Sequence, residues 1–172
     1  SDPSRIVGAL YGKLREKMKE KDRFSVLYGI LNRKTYQFRY VDCGAVYAGH
    51  QKQEGGFQWI CKGENPPLTL GSGMVPPSRE VSLEPGDRMM VVSDGWEEAL
   101  GAPASGLIEG FLDPSADGQD VLNAMAFRLR KSVEKLHGDT DPGAEEEFPM
   151  PPQDCSVLLF DLAKNALRLA KS

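Results

Sequence analysis

The chain has 172 residues, of which 40% are hydrophobic and 27% are charged, and its formal net charge is −4. This length can bury one hydrophobic core, and the acidic balance gives no electrostatic support for binding to nucleic acid or to an anionic membrane. Three scattered cysteines, Cys43, Cys61 and Cys155, exclude a zinc site built from close ligand pairs and a disulfide framework. We expect all three to be buried as small hydrophobic residues.

No apolar run approaches the roughly 20 residues that a membrane-spanning helix needs, and no signal sequence opens the chain. We therefore expect a cytoplasmic protein without membrane contacts. Internal repeats and convincing linkers are absent from the sequence, which predicts a single domain over residues 1–172.

The first 21 residues predict an amphipathic helix that runs to about Lys21. Asp2 is positioned to cap it, and Pro3 suits the first helical turn. One apolar stripe recurs at helical spacing and is expected to face the core: Ile6, Val7, Leu10, Tyr11, Leu14 and Met18.

Two β-hairpins are predicted next. Residues 24–31 and 36–47 are rich in strand-forming residues and flank a turn at 32–35, and residues 57–61 can form the following strand. Gly44, inside the second strand, indicates a bulge or a close backbone approach. The proline- and glycine-rich stretch that follows is expected to be irregular.

Residues 84–100 combine a turn, a buried strand and one carboxylate. Pro-Gly-Asp at 85–87 is a turn composition, and the continuous apolar run at 89–92 is typical of a strand covered on both faces. Asp94 and Gly95 end that strand, and a short helical turn can follow. Asp94 is either a turn or helix cap or a ligand for a hard metal ion such as Mg²⁺ or Mn²⁺.

The last third of the chain predicts a short helix at 107–112, an amphipathic helix ending near residue 137, and an exposed acidic loop at 139–153. A final apolar strand follows, and we expect it to be buried, so that Asp154 stands at the start of a second buried strand. The sequence leaves open whether residues 163–172 form a strand or a helix. Hairpins with helices gathered around them favour an α+β sandwich over a doubly wound parallel sheet.

With these elements placed, the sequence resembles the SpoIIE and RsbU branch of the metal-dependent type 2C serine/threonine phosphatases. The most specific match is Leu-Glu-Pro-Gly-Asp at residues 83–87, a strand, and then Ser-Asp-Gly-Trp-Glu-Glu-Ala at 93–99. Further segments match in order: Phe-Ser-Val-Leu-Tyr-Gly at 24–29, Tyr-Val-Asp-Cys-Gly at 40–44, Pro-Leu at 67–68 and Asp-Cys-Ser-Val-Leu at 154–158.

The resemblance implies an αββα sandwich of mostly antiparallel sheets flanked by helices, with two Mn²⁺ or Mg²⁺ ions at one edge. Such ions activate a water molecule that attacks a phosphoserine or phosphothreonine. Asp94 matches the metal-binding aspartate in the middle of the family's domain, and Asp154, which stands next to the position of the family's last ligand, is the second candidate metal ligand. Gly95, Gln153 and Ser156 would lie close to the site. Substrates in this branch are typically phosphorylated anti-sigma-factor antagonists of bacterial stress or sporulation pathways.

The chain departs from the family pattern in two ways that concern the metals. The N-terminal strands that carry the first metal-binding aspartate segment are missing before the opening helix. Gln153 stands where the family has its last aspartate ligand, with Asp154 in the neighbouring position. An amide is a poorer ligand than a carboxylate for a site that must offset the charge of two ions.

These features leave two functional hypotheses and a simpler structural alternative. The first is a protein serine/threonine phosphatase domain of SpoIIE/RsbU type that is weak or inactive in this chain. The second is a pseudophosphatase that binds a regulator or partner, and the third is a domain in which Asp94 and Asp154 only form turns. Because missing strands would leave a sheet edge open, we also expect a homodimer.

Overall fold

The computed structural model describes residues 2–113, 115–137, 151 and 153–163 of the chain. Most of the predicted acidic loop at 139–153 and nearly all of the tail at 163–172 lie outside the described residues. The described helices and strands, in chain order, are α1 (Pro3–Arg15), β1 (Arg23–Phe24), β2 (Val26–Leu31), β3 (Gln37–Cys43), β4 (Val46–Gln51), β5 (Phe57–Lys62), β6 (Leu68–Thr69), β7 (Arg79–Ser82), β8 (Arg88–Ser93), α2 (Gly95–Leu100), α3 (Ala104–Phe111), α4 (Gly118–His137) and β9 (Val157–Asp161).

The strands form two main antiparallel sheets. One has three strands in the order β2-β3-β7, and the other has four in the order β5-β4-β8-β9. Strands β1 and β6 form a separate pair of two residues each. The two hairpins predicted from sequence, β2-β3 and β4-β5, are confirmed.

Alternating side chains on β3 and β8 divide the core into three layers. On β3, Val41 and Cys43 pack with α1, whereas Phe38 and Tyr40 pack between the sheets. On β8, Met89 belongs to the layer between the sheets, whereas Met90 and Val92 pack under α2, α3 and α4. Because successive strand residues face opposite sides, one apolar strand serves two layers. The predicted α+β sandwich with helices on its outer faces is confirmed.

The amino-terminal helix is capped as predicted but ends earlier. The Asp2 carboxylate accepts a hydrogen bond from the Ser4 backbone amide at 3.2 Å, and Pro3 occupies the first turn. The helix ends at Arg15, not at Lys21. Residues 16–23 are almost all charged. The Lys17 and Met18 amides donate to the Leu14 and Arg15 carbonyls, so the chain turns after the helix, and Met18 packs against the core beside α1.

Gly44 marks a change of sheet and not a continuous strand. The predicted strand at 36–47 divides into β3 and β4, which lie in different sheets. Gly44 has a positive φ of 78°, and a Cβ atom there would lie 2.9 Å from the Cα atom of Ser25. The expected close backbone approach is therefore confirmed. The strand predicted at 24–31 likewise divides at Ser25, into β1 and β2.

The prediction that the final strand is buried is wrong. β9 lies at the edge of the four-stranded sheet, and its Leu158 and Phe160 side chains are 53% and 40% exposed. The apolar strand β8, by contrast, lies inside this sheet, between β4 and β9. Of the three cysteines, Cys43 and Cys61 are buried as expected, whereas Cys155 is only half-buried. No helix in the described part of the chain is long and apolar enough to cross a membrane.

Candidate functional site

Asp94 lies where the central strand β8 passes into α2. Its side chain is exposed and makes no capping hydrogen bond, although the residue occupies the position before the first helical residue. The alternative that Asp94 serves as a side-chain cap is therefore wrong. Its carboxylate oxygens accept no hydrogen bond from the part of the chain that the structure describes, and the residue directly follows the largely buried strand β8.

The loop that holds Asp154 is joined to the end of β8 by hydrogen bonds around Ser93. The Ser93 hydroxyl donates to the Asp154 carbonyl at 3.1 Å and accepts from the Ser156 amide at 2.9 Å. The Ser93 amide donates to the Ser156 carbonyl at 3.1 Å, and the Trp96 indole N–H donates to the same carbonyl at 3.0 Å. The two segments that carry the predicted carboxylates thus meet at one edge of the sandwich.

Gly95 allows these two segments to approach closely. It is buried, and a Cβ atom at this position would lie 2.9 Å from the Asp154 carbonyl carbon and closer still to its oxygen. Because both contacts are with backbone atoms, a side chain here would push the Asp154 loop away from α2. The glycine that sequence analysis placed beside the site has this steric role.

The remaining predicted site residues are exposed around this junction. Gln153, Asp154 and Ser156 are exposed, and the half-buried Cys155 lies between them. Burial raises the pKa of the Cys155 thiol, and the negative charge of Asp154 raises it further. The thiol therefore favours its protonated form.

Asp94 and Asp154 supply carboxylates of the type that Mg²⁺ and Mn²⁺ prefer, and Gln153 can add an amide oxygen. Within residues 2–113, 115–137, 151 and 153–163, no group of three or more His, Cys, Asp or Glu residues is placed to hold one metal ion. The described residues thus offer two carboxylates on adjoining segments, and they do not form a two-metal centre by themselves.

Sequence analysis missed the contacts of Glu97 and Tyr47 next to Asp94. The Tyr47 hydroxyl donates to Oε2 of Glu97 at 2.8 Å, and the Ala104 amide donates to Oε1 at 3.0 Å. Burial raises the pKa of Tyr47 to about 12, and the hydrogen bond to Glu97 and the charges of Glu97 and Asp94 act in the same direction. Tyr47 and Glu97 are 50 residues apart, so no local sequence pattern indicates that they are in contact.

A second group that sequence analysis missed lies on the three-stranded sheet. Asp42, only 1% exposed, accepts hydrogen bonds from Arg79 and, at 3.0 Å, from the Asn65 side chain. Burial raises the pKa of Cys61 to about 12, and the negative charge of Asp42 acts in the same direction. Asp42 is thus a buried, paired carboxylate, and its bonds join β3 to β7 and to the loop before β6.

The family model of the SpoIIE domain (Stage II sporulation protein E) matches residues 1–143 of the chain. A search of curated protein sequences finds no match. The family match covers most of the chain and includes Asp94. The chain therefore belongs to the SpoIIE family of type 2C-like phosphatase domains.

Solved structures of phosphatases share the fold. The phosphatase domain of SpoIIE from Bacillus subtilis is similar with a TM-score of 0.58 at 10% identity, over 94% of this chain and 68% of that chain. RsbX, solved in complex with magnesium, is similar with a TM-score of 0.54 at 17% identity, over 73% of this chain and 59% of that chain.

PppA, described as a key regulatory component of the T6SS in Pseudomonas aeruginosa, is similar with a TM-score of 0.53 at 10% identity. That likeness covers 75% of this chain and 60% of PppA. The chain thus spans about two thirds or less of the length of these phosphatase structures. At such identities the likeness shows a common fold.

Proposed function

We propose that this domain is a serine/threonine phosphoprotein phosphatase domain of SpoIIE/RsbU type in which Asp94 holds a Mn²⁺ or Mg²⁺ ion, with weak hydrolysis by this chain. The observation that carries the proposal is the exposed, uncapped carboxylate of Asp94 beside the Asp154 loop. A divalent ion bound there would lower the pKa of a coordinated water and polarise the phosphoryl oxygens. The chain's own residues would present the carboxylates from a rigid edge of the sandwich.

Weak hydrolysis follows from the chemistry of the donors. Gln153 stands beside Asp154 where the resemblance places a carboxylate, and its amide is neutral. A site with fewer negative ligands holds a divalent cation less tightly, because the charge of the ion is less well offset. This same residue favours the second candidate function, a pseudophosphatase that binds a regulator or partner protein without turnover.

Titration of Mn²⁺ by calorimetry, with the wild-type chain and Asp94→Asn, tests the proposal. We expect one weak site in the wild type and no binding in the mutant. Hydrolysis of p-nitrophenyl phosphate with Mn²⁺ then separates the two candidates, because a phosphatase loses its activity in Asp94→Asn and a pseudophosphatase has none to lose. Mn²⁺-dependent hydrolysis that survives Asp94→Asn would contradict the role of Asp94.

Three features remain proposals. We infer that the partner is a phosphoprotein such as an anti-sigma-factor antagonist and that the protein acts in the cytoplasm, from the resemblance to SpoIIE and RsbU. A homodimer is supported by the exposed Leu158 and Phe160 on the edge strand β9, since an open edge with apolar side chains favours association. Light scattering over a concentration series that shows only monomer would refute the dimer.

A further inference from the structure

Glu97 connects three elements next to the proposed site. It lies in the first turn of α2, three residues after Asp94, and it is half-buried. One of its carboxylate oxygens accepts from Tyr47 on β4 and the other from the first amide of α3, at 2.8 and 3.0 Å. These bonds join α2 to the sheet on one side and to the next helix on the other.

Tyr47 is suited to be a permanent donor in this arrangement. On β4 it pairs with Val92, two residues before Asp94, and its ring packs against the core under the helices. Gly63, which has no Cβ atom, is adjacent to the phenol: an added Cβ atom there would lie 3.3 Å from the ring and the hydroxyl of Tyr47. A phenol keeps its proton at neutral pH in any case, and burial raises the pKa of Tyr47 further, to about 12.

The direction of the Asp94 carboxylate depends on its backbone. No hydrogen bond to that side chain is found among the described residues, so no neighbouring group holds it directly. The backbone is held before Asp94 by the strand pairs of β8 and after it by α2, whose Glu97 amide donates to the Asp94 carbonyl at 2.9 Å. Whatever fixes α2 against the sheet therefore fixes the backbone from which the Asp94 side chain projects.

We propose that Glu97, held by Tyr47 and Ala104, is a positioning residue that sets the orientation of Asp94 toward its ligand. This inference rests on the proposed function, in which Asp94 holds the metal ion. Each of the two Glu97 carboxylate oxygens already accepts a hydrogen bond from the protein, and the proposal gives Glu97 the role of holding α2 and not that of a ligand. It acts through the geometry of α2.

Two substitutions at Glu97 separate geometry from charge. Glu97→Ala removes both bonds, and we expect the Mn²⁺ affinity of the full chain to fall roughly tenfold, since two hydrogen bonds that hold α2 are lost. Glu97→Gln can keep both contacts, with the amide oxygen accepting from Ala104 and the NH₂ group donating to the Tyr47 hydroxyl. We expect it to bind Mn²⁺ within about twofold of the wild type.

A matched control and a measurement without metal complete the test. Glu109→Ala removes an exposed carboxylate from α3 and should leave Mn²⁺ affinity unchanged. Tyr47→Phe removes one of the two bonds and should give an intermediate loss. Amide hydrogen exchange over residues 95–100, measured without metal, should be roughly tenfold faster in Glu97→Ala than in the wild type and unchanged in Glu97→Gln.

The outcomes are distinguishable. Equal Mn²⁺ affinity of Glu97→Ala and the wild type would overturn the inference, and so would a Glu97→Gln variant as weak as Glu97→Ala, because charge and not geometry would then matter. A wild-type chain that binds no Mn²⁺ would refute the proposed function. In that case faster exchange in Glu97→Ala still supports the positioning of α2, and equal exchange rates overturn it.

Discussion

Strand β8 is preceded by Asp87 and followed by Asp94, and these two aspartates have opposite surroundings. Asp87 is 2% exposed, and it accepts hydrogen bonds from the backbone amides of Glu84 and Gln53 at 2.8 and 3.1 Å. Its Oδ2 also lies 2.7 Å from Nε2 of the fully buried His50. Asp94, six residues beyond Arg88, is exposed and has no hydrogen bond to its side chain among the described residues.

The charged residues next to the two aspartates continue this contrast. Arg88, 3% exposed, donates from Nη2 to Asp161 on β9 at 2.9 Å and from Nη1 to the Asp113 carbonyl. Its hydrogen bonds to Asp161 are the main reason that the pKa of Arg88 is raised. At the other end, Asp154 on the neighbouring loop is exposed like Asp94.

The comparison separates an end of β8 whose charged groups are buried and paired from an end whose carboxylates are exposed. A buried polar group must be paired, or folding bears the cost of its desolvation. The beginning of β8 meets that condition at Asp87 and Arg88, whereas the side-chain oxygens of Asp94 and Asp154 at its end accept no hydrogen bond from residues that the structure describes. We therefore expect substitutions at the first end to change stability and substitutions at the second to change binding.

The largest effect is expected for Asp87→Ala. The substitution removes the acceptor of two backbone amides and the partner of His50, whose Nδ1 already has no hydrogen-bond partner among the described residues. We expect the free energy of unfolding to fall by about 3 kcal/mol, because a buried group loses its only bond and two turn amides lose theirs. Urea denaturation measures this change.

The control for Asp87 is Asp22→Ala. The Asp22 carboxylate accepts one exposed hydrogen bond, from the Lys19 amide at 2.8 Å, and should contribute about 1 kcal/mol or less. If Asp87→Ala and Asp22→Ala unfold at the same urea concentration, the buried hydrogen bonds of Asp87 do not stabilise the fold more than an exposed one does.

A smaller effect on stability, combined with an effect on binding, is expected for Gly95→Ala. The new Cβ atom would clash with the Asp154 carbonyl group, so the Asp154 loop must move away from α2. We expect a loss of about 1–3 kcal/mol in the free energy of unfolding and weaker Mn²⁺ binding. Gly106→Ala, in α3 where nothing lies within 4 Å of the added atom, is the matched control and should be neutral or slightly stabilising. If Gly95→Ala and Gly106→Ala have the same free energy of unfolding and the same Mn²⁺ affinity, the close contact between Gly95 and the Asp154 loop has no role in either.

Local features of this chain could be predicted from the sequence because they depend on neighbouring residues. The Pro-Gly-Asp turn, the apolar strand and Asp94 at its end follow from a few adjacent residues. Asp154 could be identified as a neighbour of the Asp94 site only from the family resemblance and from the apolar strand that follows Asp154.

Features that depend on distant residues could not be predicted in this way. The prediction that β9 is buried was wrong, because an apolar run indicates a hydrophobic strand but does not indicate whether other strands flank it on both sides. The change of sheet at Gly44 depends on its contact with Ser25, which lies 19 residues earlier in the chain. The hydrogen bonds of Glu97 likewise depend on Tyr47 and Ala104, which belong to other elements. Asp87 was identified as a turn residue, but its bond to His50 had no sequence signal.

The finest test of the binding end of β8 is Gln153→Asp. The substitution places a third carboxylate at the exposed edge that holds Asp94 and Asp154, and a carboxylate offsets the charge of Mn²⁺ where an amide does not. We expect calorimetry to show an Mn²⁺ affinity increased by up to about tenfold, with little change in stability because the residue is exposed. Gln58→Asp, which adds the same charge at an exposed position on β5, should have no such effect. If both variants or neither bind more tightly, Gln153 does not face the ion, and the weakness proposed for this site has another cause.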